Sequence, residues 1–347
     1  MLAKPFGADR SIALLRWVGL LLAYGLSFAW LMPLRGGAGG MLLSSTLTGW
    51  LLAVLMIPLA CLLYYCWSHP KVTVQAAGWL LLLTVHLYFI GASPQLSDDV
   101  YRFIWDGRLL AAGHHPFAQI PSWYMEHPGH GLPGINEELY TQLNSPNYFT
   151  IYPPLNQLIF WLSAVGTEHI EGSISIIRGF VMLAGLGSVA LLWRLLPSYH
   201  QPRELAIAFA LHPMALLEFT LNLHFEVFVI FFLLLSLWYY KQGRWPLSAL
   251  ALALSVVSKL LPLLWLPLLF FRLSWKKALA YYLICGGVVV VSFLPLLNLD
   301  LLLGMQESVG LYFQKFEFNA SIYYLIRWLG YELTGFNVIQ LVGPLLA

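Results

Sequence analysis

The sequence predicts an all-α fold, a polytopic bundle of transmembrane helices, and three observations predict it. Of 347 residues, 59% are hydrophobic and only 10% charged, against roughly 25% charged in an ordinary soluble domain. The mean hydropathy of +0.73 comes from many separate apolar runs rather than one. Lipid offers a spanning backbone no hydrogen-bond partner but itself, which makes helices of such runs. The net charge of +2 is too small to recruit nucleic acid, so membrane lipids are the expected surroundings and no nucleic acid is expected as a partner.

The apolar segments fall at about 11–32, 49–67, 76–92, 174–193, 205–222, 225–240, 247–271, 278–297 and 320–345, with a shorter one at 152–165. Together they predict a single integral membrane domain over 1–347, built of about 9–11 hydrophobic segments. The first lacks a small-x-small cleavage pattern and is followed by many more, so it is a transmembrane helix rather than a signal peptide. Cys61, Cys66 and Cys285 all lie inside apolar runs with no metal-ligand spacing, and are read as fillers of the core or the lipid face.

Basic residues orient the segments, because Lys and Arg gather on the cytoplasmic side. Lys4, Arg10 and Arg16 keep the N-terminus inside, and Lys71 keeps the second short loop inside. The third helix then delivers 93–150 to the outside as a large extracytoplasmic loop. Lys241 and Arg244 inside put 222–226 outside, and Arg194 and Arg203 place 194–204 inside. The segment 152–165 is left with both ends outside, which predicts a short interfacial or re-entrant helix.

The segment 247–271 conflicts with a simple crossing. It follows Lys241 and Arg244 and ends at Arg272, Lys276 and Lys277, so both ends read as cytoplasmic. Two short helices resolve the conflict, with the break at 258-SKLLP-262, where Pro262 disfavours helix at the residue before it. Arms of about 12 residues rise only about 18 Å. Lys259, the one charge in the run, then stands at the tip of a hairpin below the outer surface, in a cavity open to the side of Asp98 and Asp99. An ionisable residue within a membrane segment is a functional candidate by default.

The outer loop opens with a second concentration of charge. Asp99, Arg102, Phe103 and Asp106 are spaced i, i+3, i+4, i+7 and share one face of a predicted amphipathic helix at the outer surface, while Ile104, Leu109 and Ala111 face apolar surroundings. Gly113 serves as its C-cap before His114, His115 and Pro116. Other segments bring polar groups to the same side: Tyr152 and Asn156, His224 and Glu226, and Lys315, Glu317 and Asn319. Such a convergence of loops and broken helices builds a site around a cavity.

These residue types suit an anionic, lipid-linked substrate. Lys and Arg near the bilayer boundary can hold a phosphate, Lys as a point charge and Arg as a fork. A buried carboxylate can take the proton of an attacking hydroxyl. The combination fits displacement at a sugar anomeric carbon with a lipid phosphate leaving. His127 and His130 in 126-EHPGHG-131 have no third ligand nearby and read as an ordinary polar loop. Asn319-Ala-Ser321 is a formal glycosylation sequon lying close to the next helix.

The runs 99-DVYRFIWDGRLLAAGHHPF-117, 152-YPPLNQLIF-160, 222-NLHFEVF-228, 258-SKLLPLLWLP-267 and 316-FEFNASIYYLIR-327 resemble bacterial mannosyltransferase-like proteins of the GT-C glycosyltransferase class, in the same order along most of the chain. The resemblance implies a GT-C-type bundle, a polyprenyl-phosphate-linked sugar as donor, a lipid or glycan acceptor, inverting transfer, and an active site on the extracytoplasmic side of the inner membrane. It implies Asp99 as the catalytic carboxylate, with Asp98 second, and Lys259 as a contact of the donor phosphate. Arg102, Asp106, Tyr152, His224, Glu226 and Asn319 are its expected substrate-binding walls. Three spans precede the outer loop here where many members of the class have one, and Asp98-Asp99 stands in place of the DxD of some. A divalent cation, Mg²⁺ or Mn²⁺, could therefore sit beside the phosphate but is not implied. The end at 343-GPLLA-347, inside an apolar run, leads to the expectation of further terminal helices.

Two alternatives use the same residues. A transporter or flippase for a lipid-linked saccharide would also want Lys259 and the carboxylates around a cavity, but would tend to show two related halves with paired broken helices. One broken segment and no internal repeat favour the enzyme. A structural subunit would keep the helices without needing Asp99 and Lys259 on one side.

Overall fold

The structure, a computed structural model, describes residues 97–299 and 321–338, together with positions 86, 89, 91–94, 301 and 304. The apolar segments expected at 11–32 and 49–67, most of 76–92, and Lys315, Glu317 and Asn319 lie outside the described residues. Every regular element among the described residues is helical, which makes the protein all-α.

Helix α1 (Asp99–Ala111) ends as its sequence dictates. Gly113 takes a left-handed φ of 76°, so the His114 N–H reaches Leu109 O at 2.8 Å and the Gly113 N–H reaches Leu110 O at 3.0 Å. That pair of bonds closes the last turn in a Schellman motif. The loop beyond, with α2 (Pro121–Glu126) and α3 (Glu137–Tyr140), folds back across α1 and sets the Tyr124 ring 5.9 Å from that of Trp105.

This cover overturns the expectation of a helix lying at the outer surface. Val100, Phe103, Ile104, Trp105 and Leu109 surround the axis, and all are buried. A helix that is apolar most of the way round needs a cover on each side. The loop with α2 and α3 supplies one, and α4 (Pro154–Gly166) supplies the other. The α1–α4 contact closes at Gly107, where a Cβ would collide with the Phe160 carbonyl. Phe103 and Phe160 stack at 4.6 Å, with Phe225 edge-on to both at 5.2 Å.

Helix α4 opens on a proline, which needs no helical donor there. Its 13 residues rise about 20 Å, short of the roughly 30 Å of a hydrocarbon core, in keeping with the expected short helix. A tight turn leads into α5 (Ile170–Leu195), which extends through Tyr199 as one of two helices among the described residues long and apolar enough to cross a membrane.

The run expected as a span at 205–222 is broken. It forms α6 (Leu205–Ala210), a single turn at Pro213–Ala215 and a π-helical turn over Leu216–Leu221. Pro213 lacks the N–H that would carry the first helix onward. The chain then turns into α7 (Glu226–Lys241), doubles back through α8 (Trp245–Val256), and descends by a 3₁₀ turn (Leu261–Trp265) and α9 (Leu266–Phe270) into α10 (Trp275–Phe293). A further helix, α11 (Ser321–Thr334), stops where Gly335 takes φ 80°, so the run 320–345 is not one continuous helix.

Side-chain contacts give the directions. Lys241 Nζ lies 2.7 Å from Ser198 Oγ, and the Arg194 guanidinium stands 5.7 Å from the Trp238 ring, so α5 and α7 run parallel with their C-terminal ends together. Ser255 Oγ donates to Val229 O at 2.9 Å and Ser236 Oγ to Ser248 O at 2.9 Å, which makes α8 antiparallel to α7. The Tyr240 hydroxyl reaches Arg272 O at 3.5 Å. Arg244 and Arg272, the two ends of the 247–271 run, therefore meet at one end of the molecule, and Lys259 stands at the other, as the hairpin reading requires. The Tyr281 hydroxyl, 3.0 Å from Ser248 Oγ, ties α10 to this pair.

Candidate active site

The end of the molecule away from the clustered arginines and lysines gathers side chains from five segments. Asp99 opens α1, and its Oδ1 accepts from Asn144 Nδ2 at 2.6 Å. Its Oδ2 faces His224 Nε2 at 3.8 Å. His224 Nδ1 lies 2.7 Å from Glu218 Oε2 on the π-helical turn. Two residues beyond His224, at the head of α7, Glu226 Oε1 accepts from Lys259 Nζ. Sequence reasoning therefore brought together Asp99, His224, Glu226 and Lys259, and the structure adds Asn144 and Glu218.

Glu218 was legible as a signal that went unread. It is the one carboxylate inside the apolar run 205–222, where an ionisable residue is a functional candidate by default. The π turn that presents it could not be read, because a single i→i+5 register leaves no trace in apolar spacing. Such turns recur at functional sites.

The electrostatics of His224 follow from these neighbours. Burial works against its charge, but the hydrogen bond it donates to Glu218 and the negative charges of Glu218, Asp99 and Glu226 outweigh it, so its pKa is raised above the ordinary histidine value. The Asp98 carboxyl is also raised, by burial first and then by the charge of Asp99. With Nδ1–H on Glu218, neutral His224 turns a lone pair toward Asp99, and protonated His224 turns an N–H. Nε2 is buried and has no hydrogen-bond partner among the described residues.

Other expected walls lie behind the site. Arg102 is 3% exposed and Asp106 0%, and they pair at 2.9 Å within one helical turn. Arg102 also donates to Tyr148 O at 2.8 Å and to Ser145 O at 3.2 Å, and Gln157 Nε2 donates to Asp106 at 3.0 Å. Closed from solvent, this pair braces the 145–148 loop segment on α1 and does not line the site as a substrate-binding wall. Tyr152 packs its ring edge-on to Phe103 at 4.9 Å, and Asn156 is buried. His127 stacks on Trp123 at 4.3 Å and bonds its backbone, as an ordinary loop histidine does.

An apolar cavity of about 450 Å³ lies beside the α8 arm of the hairpin, lined by Leu110, Leu155, Trp161, Leu254, Val257 and Leu296. Among the described residues no three His, Cys, Asp or Glu side chains converge as metal ligands. Asp98 and Asp99 offer the one or two carboxylates that Mg²⁺ takes beside a phosphate.

The fold and site thus define an all-α membrane protein whose polar centre sits at one end of a bundle of broken helices. Over residues 149–341, more than half of its length, the chain matches the model of glycosyltransferase family 87. It belongs to that family and is a membrane glycosyltransferase. The matched stretch holds Glu218, His224, Glu226 and Lys259, and Asp99 precedes it. Comparison with curated proteins and with solved structures gives no match.

Proposed function

We propose that this glycosyltransferase moves a sugar, mannose in our reading, from a polyprenyl-phosphate donor to a lipid or glycan acceptor, at the extracytoplasmic face of the inner membrane. The observation that carries the reading is that Lys259 stands at the tip of a short hairpin, on the same end of the bundle as Asp99 and His224. A lysine at such a tip is suited to a lipid phosphate at the membrane boundary, and Glu226 holds it there as counter-ion. The apolar cavity against α8 gives a prenyl chain a groove beside that phosphate.

In the reaction, the acceptor hydroxyl oxygen attacks the anomeric carbon while the bond from that carbon to the phosphate oxygen breaks. The electron pair leaves with the polyprenyl phosphate, whose charge Lys259 neutralises. The hydroxyl proton goes to Asp99, the carboxylate at the head of the Asp99–His224–Glu218 line. Attack opposite the leaving group inverts the anomeric configuration. Asn144 holds Asp99 from the loop side.

The test is transfer of labelled mannose from polyprenyl-phosphate mannose to a membrane lipid or glycan extract by purified protein. Wild type transfers; folded Asp99→Asn loses about 10³-fold or more, the scale of a lost general base. An Asp99→Asn variant as active as wild type would remove Asp99 from the chemistry. Inertness with mannose but activity with another polyprenyl-phosphate sugar would correct the sugar alone.

A further inference from the structure

Arg178 lies in the third turn of α5 with 1% of its surface exposed, on a helix otherwise apolar enough to cross a membrane. Its guanidinium turns toward the backbone of the neighbouring element. Nε donates to Thr220 O at 3.0 Å and Nη2 to Leu221 O at 3.4 Å, the last two carbonyls of the π-helical turn.

That turn is an unusual piece of backbone with a strained exit. Its i→i+5 bonds continue out of it, with Asn222 N–H on Leu217 O at 2.9 Å, and Leu223 stands at φ 62°. A bulky residue in the left-handed region persists only where its surroundings impose it. The His224 N–H then bonds Glu218 O at 2.9 Å, so the register of this one turn decides whether the Glu218 carboxylate meets the imidazole.

We propose that Arg178 is a positioning residue: by clamping the Thr220 and Leu221 carbonyls it holds the π-helical turn, and through that turn it sets His224 opposite Asp99. It touches neither substrate. Without the clamp the turn winds down to an ordinary α register, which carries Glu218 away from His224. The charged groups facing His224 are Glu218 from the π turn, Asp99 from α1 and Glu226 from α7, the last already paired with Lys259. The proposal rests on the reading of Asp99 and His224 as the reaction centre, and its test has a readout that does not depend on that reading.

The experiment titrates His224 by NMR in protein labelled with ¹³C at its histidines, the resonance being assigned by its loss in His224→Gln. Arg178→Met is expected to stay monodisperse, to lower kcat about tenfold or more with donor KM little changed, and to move the His224 midpoint down from its raised value. Arg178→Lys, which keeps the charge but not the fork, is expected to recover part of both and serves alone if the methionine variant does not fold. A wild-type His224 midpoint in a folded Arg178→Met or Arg178→Lys variant overturns the clamp, whatever the activity. A shifted midpoint in protein whose transfer does not need Asp99 keeps the clamp and removes the catalytic reading.

Discussion

His224 Nε2 faces Asp99 Oδ2 across 3.8 Å, joining the first turn of α1 to the turn between the π-helical segment and α7. The two residues are distant in sequence, and the contact exists because Gly107 lets α1 lie against α4 while Phe103, Phe160 and Phe225 pack the turn beneath it.

The raised pKa of His224 has a direct consequence for stability. Its protonated form is favoured in the folded state, so the stabilisation is fully present below the ordinary histidine value of about 6.5 and is lost as pH rises through the raised value. The Tm difference between wild type and His224→Gln should therefore be largest in mild acid and shrink as the buffer is made alkaline. Equal differences at every pH would remove the Glu218 and Asp99 contribution.

Lys259 should govern donor binding. A hydrogen bond to a charged group is worth about 1.5–3 kcal/mol, so Lys259→Met should raise donor KM roughly 10- to 100-fold. Lys259→Arg should lie between. Steady-state kinetics with varied donor would count against the phosphate role if neither donor KM nor kcat changed.

Gly107→Ala should destabilise the protein by about 1–3 kcal/mol, the range for overpacking, because the added methyl meets the Phe160 backbone. Gly179, a helical glycine with nothing within 4 Å of an added Cβ, is the control. Thermal unfolding in detergent should separate the two, with Gly179→Ala at or slightly above wild type.

Orientation can be read with a membrane-impermeant maleimide on a variant whose native cysteines are replaced. Ala111→Cys and Gln242→Cys both place the thiol at exposed positions, at opposite ends of the bundle. Intact cells should label the first, and only permeabilised cells the second. The reverse pattern would turn the protein over in the membrane.

The hairpin around Lys259 was readable because Pro262 and a lone charge interrupt an apolar run whose two ends carry the same sign of flanking residue. The exit of α1 was readable too, since Gly113 alone suits the left-handed position its C-terminus needs. The burial of α1 was not. Spacing put Arg102 and Asp106 on one face, but the carbonyls of Ser145 and Tyr148 that cover Arg102 arrive from a loop more than forty residues on, beyond the reach of any local pattern. Asn144, the partner of Asp99, belongs to the same loop and was hidden for the same reason.

The ion pair of Lys259 with Glu226 also bears on how the chain reaches its membrane. A bare ammonium carried to the middle of a nascent helix costs about 2.5–3.5 kcal/mol of insertion. The α7–α8 helical hairpin, joined by a short turn, can instead enter as one unit that presents no net charge at its leading edge. Glu226→Gln should then lower the yield of inserted protein as well as its activity, which makes the same carboxylate a determinant of biogenesis.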